Sequence, residues 1–246
     1  FDDTNLAYLC DPQQRAQAKE RGDDPNQLPH AYAALINSVI DSRPKDLTIA
    51  VHLCRGNMQS AWVAEGGYEP VADALFNELN VDAYFLEYDD ARSGGFEPLR
   101  FVPKEKIVVL GLVSSKLAAL EPVADITRRI DEAAKFVPLD QLALSPQCGF
   151  SSTIAGNAVT VEEQKAKLRL VVEVAREFSL DIVHAHYAVP HATAAFLAKQ
   201  VLASTRQGRA PSVVTTLHGT DITLVGNDPS YSEIVAFSIE IGRAHV

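Results

Sequence analysis

The chain has 246 residues, of which 47% are hydrophobic and 22% charged, a composition typical of a globular protein with a sizeable core. Its net charge of -10 argues against a nucleic-acid partner, because binding to phosphates requires clustered Lys and Arg. No stretch approaches 18 consecutive apolar residues, so we expect no membrane span and no membrane partner.

The start of the chain and its three cysteines bear on its origin and location. The first residue is Phe1 rather than Met, and we expect the chain to be a fragment of a longer protein or a processed piece of one. The chain does not start with a basic segment followed by an apolar one, so we expect no secretory signal. Three cysteines cannot all pair with one another, which favours thiols used as ligands and a cytoplasmic location.

Helical and strand-like patterns alternate along the first part of the chain. In chain order they predict helix 30–41, strand 47–53, helix 70–79, strand 81–86, strand 106–112, helix 121–136 and strand 141–144. A helix over 160–178 follows, and Thr160 with Glu163 forms a predicted capping box at its start.

Two further βα units complete the pattern. The first combines strand 181–185 with helix 190–203, and the second combines strand 212–217 with a helix from about residue 230. Repeated βα units imply a parallel sheet covered by helices, so the predicted fold class is α/β. The periodicity of the last two units is compatible with their adding parallel strands to the same sheet.

Residues that can bind zinc stand at the ends of three predicted strands. His52 and Cys54 lie two apart on an extended segment, so both side chains point the same way. Glu87 ends the next apolar run, and Cys148 follows strand 141–144. Zinc prefers nitrogen and thiolate ligands and accepts a carboxylate. Each residue alone is more typical of a core or a solvated loop, but the combination predicts a metal site where (β/α)8 barrels place their chemistry.

Four segments within the first 175 residues resemble the C-terminal catalytic barrel of cobalamin-independent methionine synthase, and more closely a shorter group within that family. They are residues 2–9 (DDTNLAYL), 52–57 (HLCRGN), 85–89 (FLEYD) and 146–150 (PQCGF). The resemblance implies a partial (β/α)8 barrel containing roughly its last five strands. It also implies a Zn2+ site with four ligands, which are His52, Cys54, Glu87 and Cys148. In the family an Asp helps to hold the amino-acid substrate; Asp2 is its equivalent here, with Asp3 as the alternative.

The same resemblance implies a chemistry. Zinc lowers the pKa of a thiol, and the family presents the homocysteine thiolate in this way to the methyl group of 5-methyltetrahydrofolate. Classical members place a His after the next strand to protonate the leaving amine, whereas the corresponding residues 111–116 (GLVSSK) contain none. The sequence therefore predicts a zinc-dependent homocysteine S-methyltransferase and leaves the methyl donor open. Cys10 is predicted to lie outside the zinc site.

Two segments nearer the C-terminus resemble the N-terminal Rossmann-like domain of family-4 glycosyltransferases. They are residues 180–192 (LDIVHAHYAVPHA) and 214–223 (VTTLHGTDIT). The resemblance implies that the turn of His218, Gly219 and Thr220 lies near the acceptor and the donor phosphates, since its backbone N–H groups suit anions. The family's second, donor-binding domain has no counterpart here, so we expect this part to be an inactive remnant.

Together the two resemblances predict three parts. Residues 1–175 are the barrel part, residues 176–240 are the glycosyltransferase fragment, and residues 241–246 (IGRAHV) are a non-native tail. We interpret the chain as two bacterial gene fragments joined at residues 172–175 (VEVA), with a natural fusion as the alternative. Three functions follow as candidates: zinc-dependent methyl transfer, glycosyl transfer, and metal binding without catalysis.

Overall fold

The computed structural model describes residues 1–57, 60–150, 158–177, 182–186 and 212–216, together with residues 229, 233 and 236. These residues form an α/β fold with parallel strands, which confirms the predicted fold class. They divide into two compact units. The first unit, Phe1–Leu142 with Pro146–Gln164, contains every side chain of the candidate site described below.

Five strands form the principal sheet, and their order in the sheet is their order in the chain. They are β1 (Asp2–Asp3), β2 (Ala50–Leu53), β3 (Ala83–Glu87), β4 (Ile107–Val113) and β5 (Leu142–Pro146). Strands β1 to β4 pair in parallel. Strands β2 to β5 correspond to the four predicted strands of this region. Strand β1 was not predicted, because two residues are too few to show a period of two.

Five α-helices lie within the described residues. They are α1 (Asn5–Tyr8), α2 (Pro12–Glu20), α3 (Leu28–Ile40), α4 (Val123–Ala133) and α5 (Val161–Glu177). Helices α3, α4 and α5 confirm three of the predicted helices. The start of α5 is the predicted capping box, since the backbone N–H of Thr160 donates to Glu163 Oε2 at 2.7 Å and the Glu163 N–H donates to Thr160 Oγ1 at 3.3 Å.

The helix predicted over 70–79 is confirmed as helical but is not an α-helix. A short 3-10 turn, Glu69–Val71, leads into a π-helical turn, Ala74–Glu78. The turn closes with a bond from the Leu79 N–H to the Ala74 carbonyl oxygen at 3.1 Å, five residues back. Apolar spacing predicts which residues are buried, and it does not distinguish a π turn from an α turn over a single cycle.

The register of the sheet brings the predicted site residues to one edge. Asp2 pairs with His52, and Glu87 pairs with Gly111. Because parallel strands all end at the same edge, the loops that follow β2, β3 and β4 meet there. Two backbone bonds extend this edge beyond the strands: the Cys54 N–H donates to the Asp3 carbonyl oxygen at 2.9 Å, and the Gln147 N–H donates to the Val113 carbonyl oxygen at 2.9 Å.

Two strands from the C-terminal part pair with each other. Strands β6 (Ile182–His186) and β7 (Ser212–Thr216) are parallel and form a separate two-stranded sheet. Both strands were predicted, but the expectation that they add to the principal sheet is wrong. The helix predicted over 190–203 lies outside the described residues. Of the helix predicted from about residue 230, residues 233 and 236 are described, and both are helical. In the described part of the chain, no helix has the length and apolar character needed to span a bilayer.

A glycine sets how closely the loop after β2 packs on the segment that joins α1 and α2. Gly66 has a φ of +104°, and a Cβ at this position would lie 2.2 Å from the carbonyl oxygen of Cys10. Its neighbour Glu65 donates its N–H to the Asp11 carboxylate at 3.0 Å. The same carboxylate caps α2 by accepting the N–H of Gln13 at 2.8 Å. The loop is therefore fixed by both close packing and hydrogen bonding.

We predict that Gly66→Ala lowers the free energy of unfolding by about 3 kcal/mol, from the left-handed backbone and the clash with Cys10 together. Gly22→Ala is the matched control, since Gly22 also has a positive φ, +93°, but no atom lies within 4 Å of its added Cβ. It should cost only about 1–2 kcal/mol. Urea unfolding of both variants measures the difference, and equal losses would contradict the packing argument.

Candidate metal centre

Four side chains singled out in the sequence converge at the carboxyl edge of the sheet. The Sγ of Cys148 lies 3.3 Å from the Sγ of Cys54, 3.8 Å from the Nε2 of His52 and 3.0 Å from the Oε1 of Glu87. The Nε2 of His52 is 3.5 Å from the same Oε1. One donor atom from each of His52, Cys54 and Cys148 lies within 4.8 Å of the others. The fold thus gathers groups that are up to 96 residues apart in the chain.

The chemistry of these donors fits zinc. Two sulfurs, one imidazole nitrogen and one carboxylate oxygen form a four-donor set of the kind that tetrahedral Zn2+ accepts. The site is buried, with side-chain exposure of 4% for His52 and 1% for Glu87. Ionised thiols and a carboxylate brought together away from water repel one another unless a cation lies among them. The residues present therefore suit a divalent cation with a preference for sulfur and nitrogen.

Asp2 contacts the far side of the imidazole. Its Oδ1 lies 3.0 Å from the Nδ1 of His52, so it can accept a hydrogen bond from Nδ1 while Nε2 faces Cys148 and Glu87. A carboxylate in this position fixes the tautomer and the ring orientation of a metal-binding histidine. The side chain of Asp2 is also 45% exposed, which places a negative charge at the solvent side of the site.

Asp3, the alternative to Asp2 for substrate binding, has a different environment. Its carboxylate is buried and accepts the N–H of Leu6 at 2.8 Å in the first turn of α1. Burial raises the pKa of Asp3, although the bonds from Leu6 and Asn5 oppose that shift. Of the two residues, Asp2 is the one beside His52. The role of Asp2 in substrate binding stays a prediction.

The electrostatics of the buried His52–Glu87 pair favour charged forms. Burial alone would lower the pKa of His52, but hydrogen bonds with Asp2 and Glu87 outweigh it and raise the pKa to about 10. Burial would likewise raise the pKa of Glu87, but the bond to His52 and the charge of Lys116 lower it to about 2. The carboxylate of Glu87 therefore stays ionised although it is almost inaccessible to water.

The two thiols of the site differ in how readily they ionise. A hydrogen bond with Cys54, together with burial, raises the pKa of Cys148, whose S–H donates to Glu87 Oε1 at 3.0 Å. The same hydrogen bond lowers the pKa of Cys54. The third cysteine, Cys10, lies outside the cluster, donates to the Leu6 carbonyl oxygen at 3.5 Å, and has its pKa raised to about 12 by burial.

Several residues that the sequence reasoning missed hold the site together. Asn57 donates its Nδ2 to the Gly149 carbonyl oxygen at 3.0 Å and so ties the loop after β2 to the loop that carries Cys148. The Arg55 N–H donates to Glu87 Oε1 at 3.3 Å. Asn57 and Arg55 belong to the same six-residue segment as the predicted ligands His52 and Cys54, and that proximity was the available signal.

Tyr68 fixes the backbone of Glu87. Its hydroxyl accepts the Glu87 N–H at 2.9 Å and donates to the Glu87 carbonyl oxygen at 3.2 Å. The Arg55 Nε donates to the same hydroxyl at 3.3 Å, and the guanidinium lies 4.4 Å from the centre of the Tyr68 ring. Nothing in the sequence pattern indicated this residue, because a buried Tyr after a Gly-Gly turn is typical of an ordinary core position.

The glycosyltransferase-like residues His218, Gly219 and Thr220 lie outside the described residues.

The α/β fold brings two thiols, an imidazole and a carboxylate together at the ends of parallel strands. This arrangement is typical of proteins with a metal–thiolate centre, which is the candidate class. The chain belongs to the cobalamin-independent synthase family, since residues 19–177 match its catalytic domain. A second match, to the family described as glycosyl transferase 4-like, covers residues 151–244. Both resemblances seen in the sequence are confirmed. The boundary between residues 175 and 176 stays a prediction, because the two matches overlap.

Relatives and solved structures support the family. The uncharacterized proteins YxjG and YxjH of Bacillus subtilis (strain 168) are 52% and 51% identical to this chain over 178 residues, 72% of this chain and 47% of each relative. The solved structure of a putative vitamin-B12-independent methionine synthase from Listeria monocytogenes is 37% identical, with a TM-score of 0.53, over 72% of this chain and 46% of that one. The chain thus spans about half the length of the relatives it matches.

Two further similarities are more limited. A B12-independent methionine synthase from a Shewanella species, solved in complex with selenomethionine, has the same fold at 18% identity, with a TM-score of 0.50 over 71% of this chain and 53% of that one. In the C-terminal part, N-acetyl-alpha-D-glucosaminyl L-malate synthase from Bacillus anthracis is 51% identical over 70 residues. Those residues make up 28% of this chain and 17% of the relative.

We predict that Asp89→Asn makes the protein more stable at neutral pH. Burial raises the pKa of Asp89 to about 6, although the charge of Lys116 opposes the shift. Because this pKa lies above its unfolded value of 3.8, ionisation opposes folding, and the wild type should lose stability as the pH rises from about 4 through about 6. The variant, which has no proton to lose there, should gain on the order of 2 kcal/mol at about pH 7.5 and little at about pH 4.

Urea unfolding at the two pH values measures this difference. Asp140→Asn, at an exposed position, is the matched control for the loss of one carboxylate. A gain for Asp89→Asn that is the same at both pH values would contradict the assignment of the effect to ionisation.

Proposed function

We propose that residues 1–175 act as a zinc-dependent S-methyltransferase in the cytoplasm. The proposed ligands are the four converging residues, His52, Cys54, Glu87 and Cys148. The observation that supports this most directly is the set of distances from the Cys148 sulfur, 3.0 to 3.8 Å, to one donor atom of each other residue. When bound, zinc stabilises the thiolate form of a substrate thiol and so supplies a nucleophile at neutral pH.

The residues around the site suit an amino-acid thiol such as homocysteine. Asp2 is half exposed beside His52, where its negative charge can pair with a substrate ammonium group. Burial of Glu87 and Cys148 keeps water from competing with the incoming thiol. Membership of the cobalamin-independent synthase family supports the same substrate class.

The proposed methyl donor is 5-methyltetrahydrofolate. In the reaction the homocysteine sulfur forms a bond to the methyl carbon, the bond from N5 to that carbon breaks, and N5 takes up a proton. Residues 111–116 provide no histidine for that protonation. Activation of the thiol does not depend on that histidine, and other alkyl donors are the alternative to the folate.

We predict one zinc per chain for the purified full-length chain, measured by elemental analysis under reducing conditions. His52→Ala/Cys148→Ser should bind none, because two of the four donors are lost. Cys10→Ala is the matched control, since Cys10 is also a buried thiol but lies outside the cluster. It should keep its zinc. A metal-free wild type, or zinc retained by the double variant, would contradict the proposed centre.

A second measurement separates an enzyme from a fragment that only binds metal. Zinc-loaded protein is supplied with homocysteine and 5-methyltetrahydrofolate, and methionine is measured. Product formed by the wild type and by Cys10→Ala, but not by the double variant, would support methyl transfer. Stoichiometric zinc without methionine would favour the non-catalytic alternative for this chain.

Glycosyl transfer is the second candidate function, favoured by the 51% identity over 70 residues to N-acetyl-alpha-D-glucosaminyl L-malate synthase. We expect the full chain not to bind UDP-N-acetylglucosamine, because the similarity covers only 17% of that relative. Calorimetric titration measures this. Saturable binding that is lost in His218→Ala would overturn the interpretation of this part as a remnant.

A further inference from the structure

The two carboxylate oxygens of Glu87 have separate sets of partners. Oε1 faces the metal-ligand cluster, 3.0 Å from the Cys148 sulfur and 3.5 Å from the His52 Nε2. Oε2 points the other way, 3.2 Å from the Nε2 of Gln147 and 3.5 Å from the Nζ of Lys116. A carboxylate can bind a metal through one oxygen or through both, so this division decides how Glu87 is able to coordinate.

Lys116 is an unusual residue to find at this position. Its side chain has an exposure of 0%, and a fully buried ammonium group is costly unless it is paired and hydrogen-bonded. Among the described residues, Nζ donates to Glu87 Oε2 at 3.5 Å and to Gln147 Oε1 at 3.3 Å. The Trp62 ring centre lies 5.3 Å from Nζ. The buried cation is therefore directed at the side of Glu87 that faces away from the thiols.

Gln147 connects this cation to the rest of the site. Its Oε1 accepts from the Lys116 Nζ and from the Ser114 hydroxyl, at 3.4 Å for the latter, which directs its Nε2 donor toward Glu87. Ser114 also accepts the backbone N–H of Lys116 at 3.2 Å, and its own N–H donates to Glu121 at 2.8 Å. The loop after β4 is thereby fixed relative to the residue that precedes Cys148.

We propose that Lys116 is a positioning residue that, with Gln147, engages Oε2 of Glu87 and leaves Oε1 as the single oxygen ligand of the metal. The inference rests on the proposed zinc centre and adds to it a residue that the ligand pattern does not contain. Lys116 is not itself a proposed metal ligand and acts through its contact with Glu87 Oε2.

Two physical effects give Lys116 this role. Two sulfurs and one nitrogen would already fill three positions around the metal, so a carboxylate held at its other oxygen would take one further position rather than two. Two thiolates and a carboxylate also carry one more negative charge than Zn2+ neutralises. The fixed charge of Lys116 offsets that excess in a region where water cannot.

The test compares Lys116→Met, which removes the charge and keeps the length, with Lys116→Arg, which keeps the charge. Zinc affinity of the full chain is measured by competition with a chromophoric chelator, and ligand geometry by the visible absorption of the cobalt(II)-loaded protein. Lys116→Met should bind zinc about 10–100-fold more weakly. Its cobalt bands should weaken as Glu87 shifts toward binding through both oxygens. Lys116→Arg should restore most of the affinity, and exposed Lys104→Met is the matched control.

A double-mutant cycle shows whether Lys116 acts through Glu87. In a Glu87→Gln background, Lys116→Met should cause little further loss of zinc affinity, because the group that it positions is already neutral. Lys116→Met alone leaves the buried Glu87 carboxylate without its cation and could unfold the protein. Glu87→Gln removes that carboxylate charge, so the double variant provides a folded comparison.

The outcomes separate this inference from the proposed function. Wild type that binds zinc, with Lys116→Met equal to it in affinity and cobalt spectrum, overturns only the positioning role. An equal loss for Lys116→Met with and without Glu87→Gln also overturns it. Wild type that binds no zinc overturns the proposed centre and this inference together.

Discussion

The carboxylate of Glu87, 1% exposed at the end of β3, is a negative charge removed from water, and the surrounding structure must compensate for that removal. It does so on both sides. His52 and Cys148 contact Oε1, while Lys116 and Gln147 contact Oε2. The backbone of the same residue is bonded at both N–H and C=O by the Tyr68 hydroxyl. A charge held in this way sets where its neighbours can lie, and the thiols are placed relative to it.

The loops that carry the proposed ligands are bonded to the sheet. Backbone bonds from Cys54 to Asp3 and from Gln147 to Val113 continue the strand pairing past the strand ends. The amide of Asn57 then ties the first of these loops to Gly149 in the second. Ligands on regular extensions of strands keep their spacing better than ligands on free loops. This helps to explain how two thiols from distant parts of the chain lie 3.3 Å apart without a disulfide between them.

The sequence predicted the parts of this site that depend on local geometry. The spacing of His52 and Cys54 and the position of Glu87 follow from a period of two and from where apolar runs end. Lys116 could not be assigned in this way, because its burial depends on packing against Trp62 and Gln147 from other segments. The same limit explains the π-helical turn, since its burial pattern over one cycle equals that of an α-helix. Sheet membership of β6 and β7 also depends on long-range pairing that a strand pattern does not encode.

The pair of sulfurs has a consequence for how the protein must be handled. Cys54 and Cys148 are separated by 3.3 Å, whereas a disulfide bond spans about 2.05 Å, so a small movement of either side chain would allow a covalent link in air. That link would withdraw two donors from the site at once and leave the imidazole and the carboxylate behind. The zinc content of a preparation would therefore depend on its exposure to oxidants as well as on its folding, and reduction before loading would separate the two.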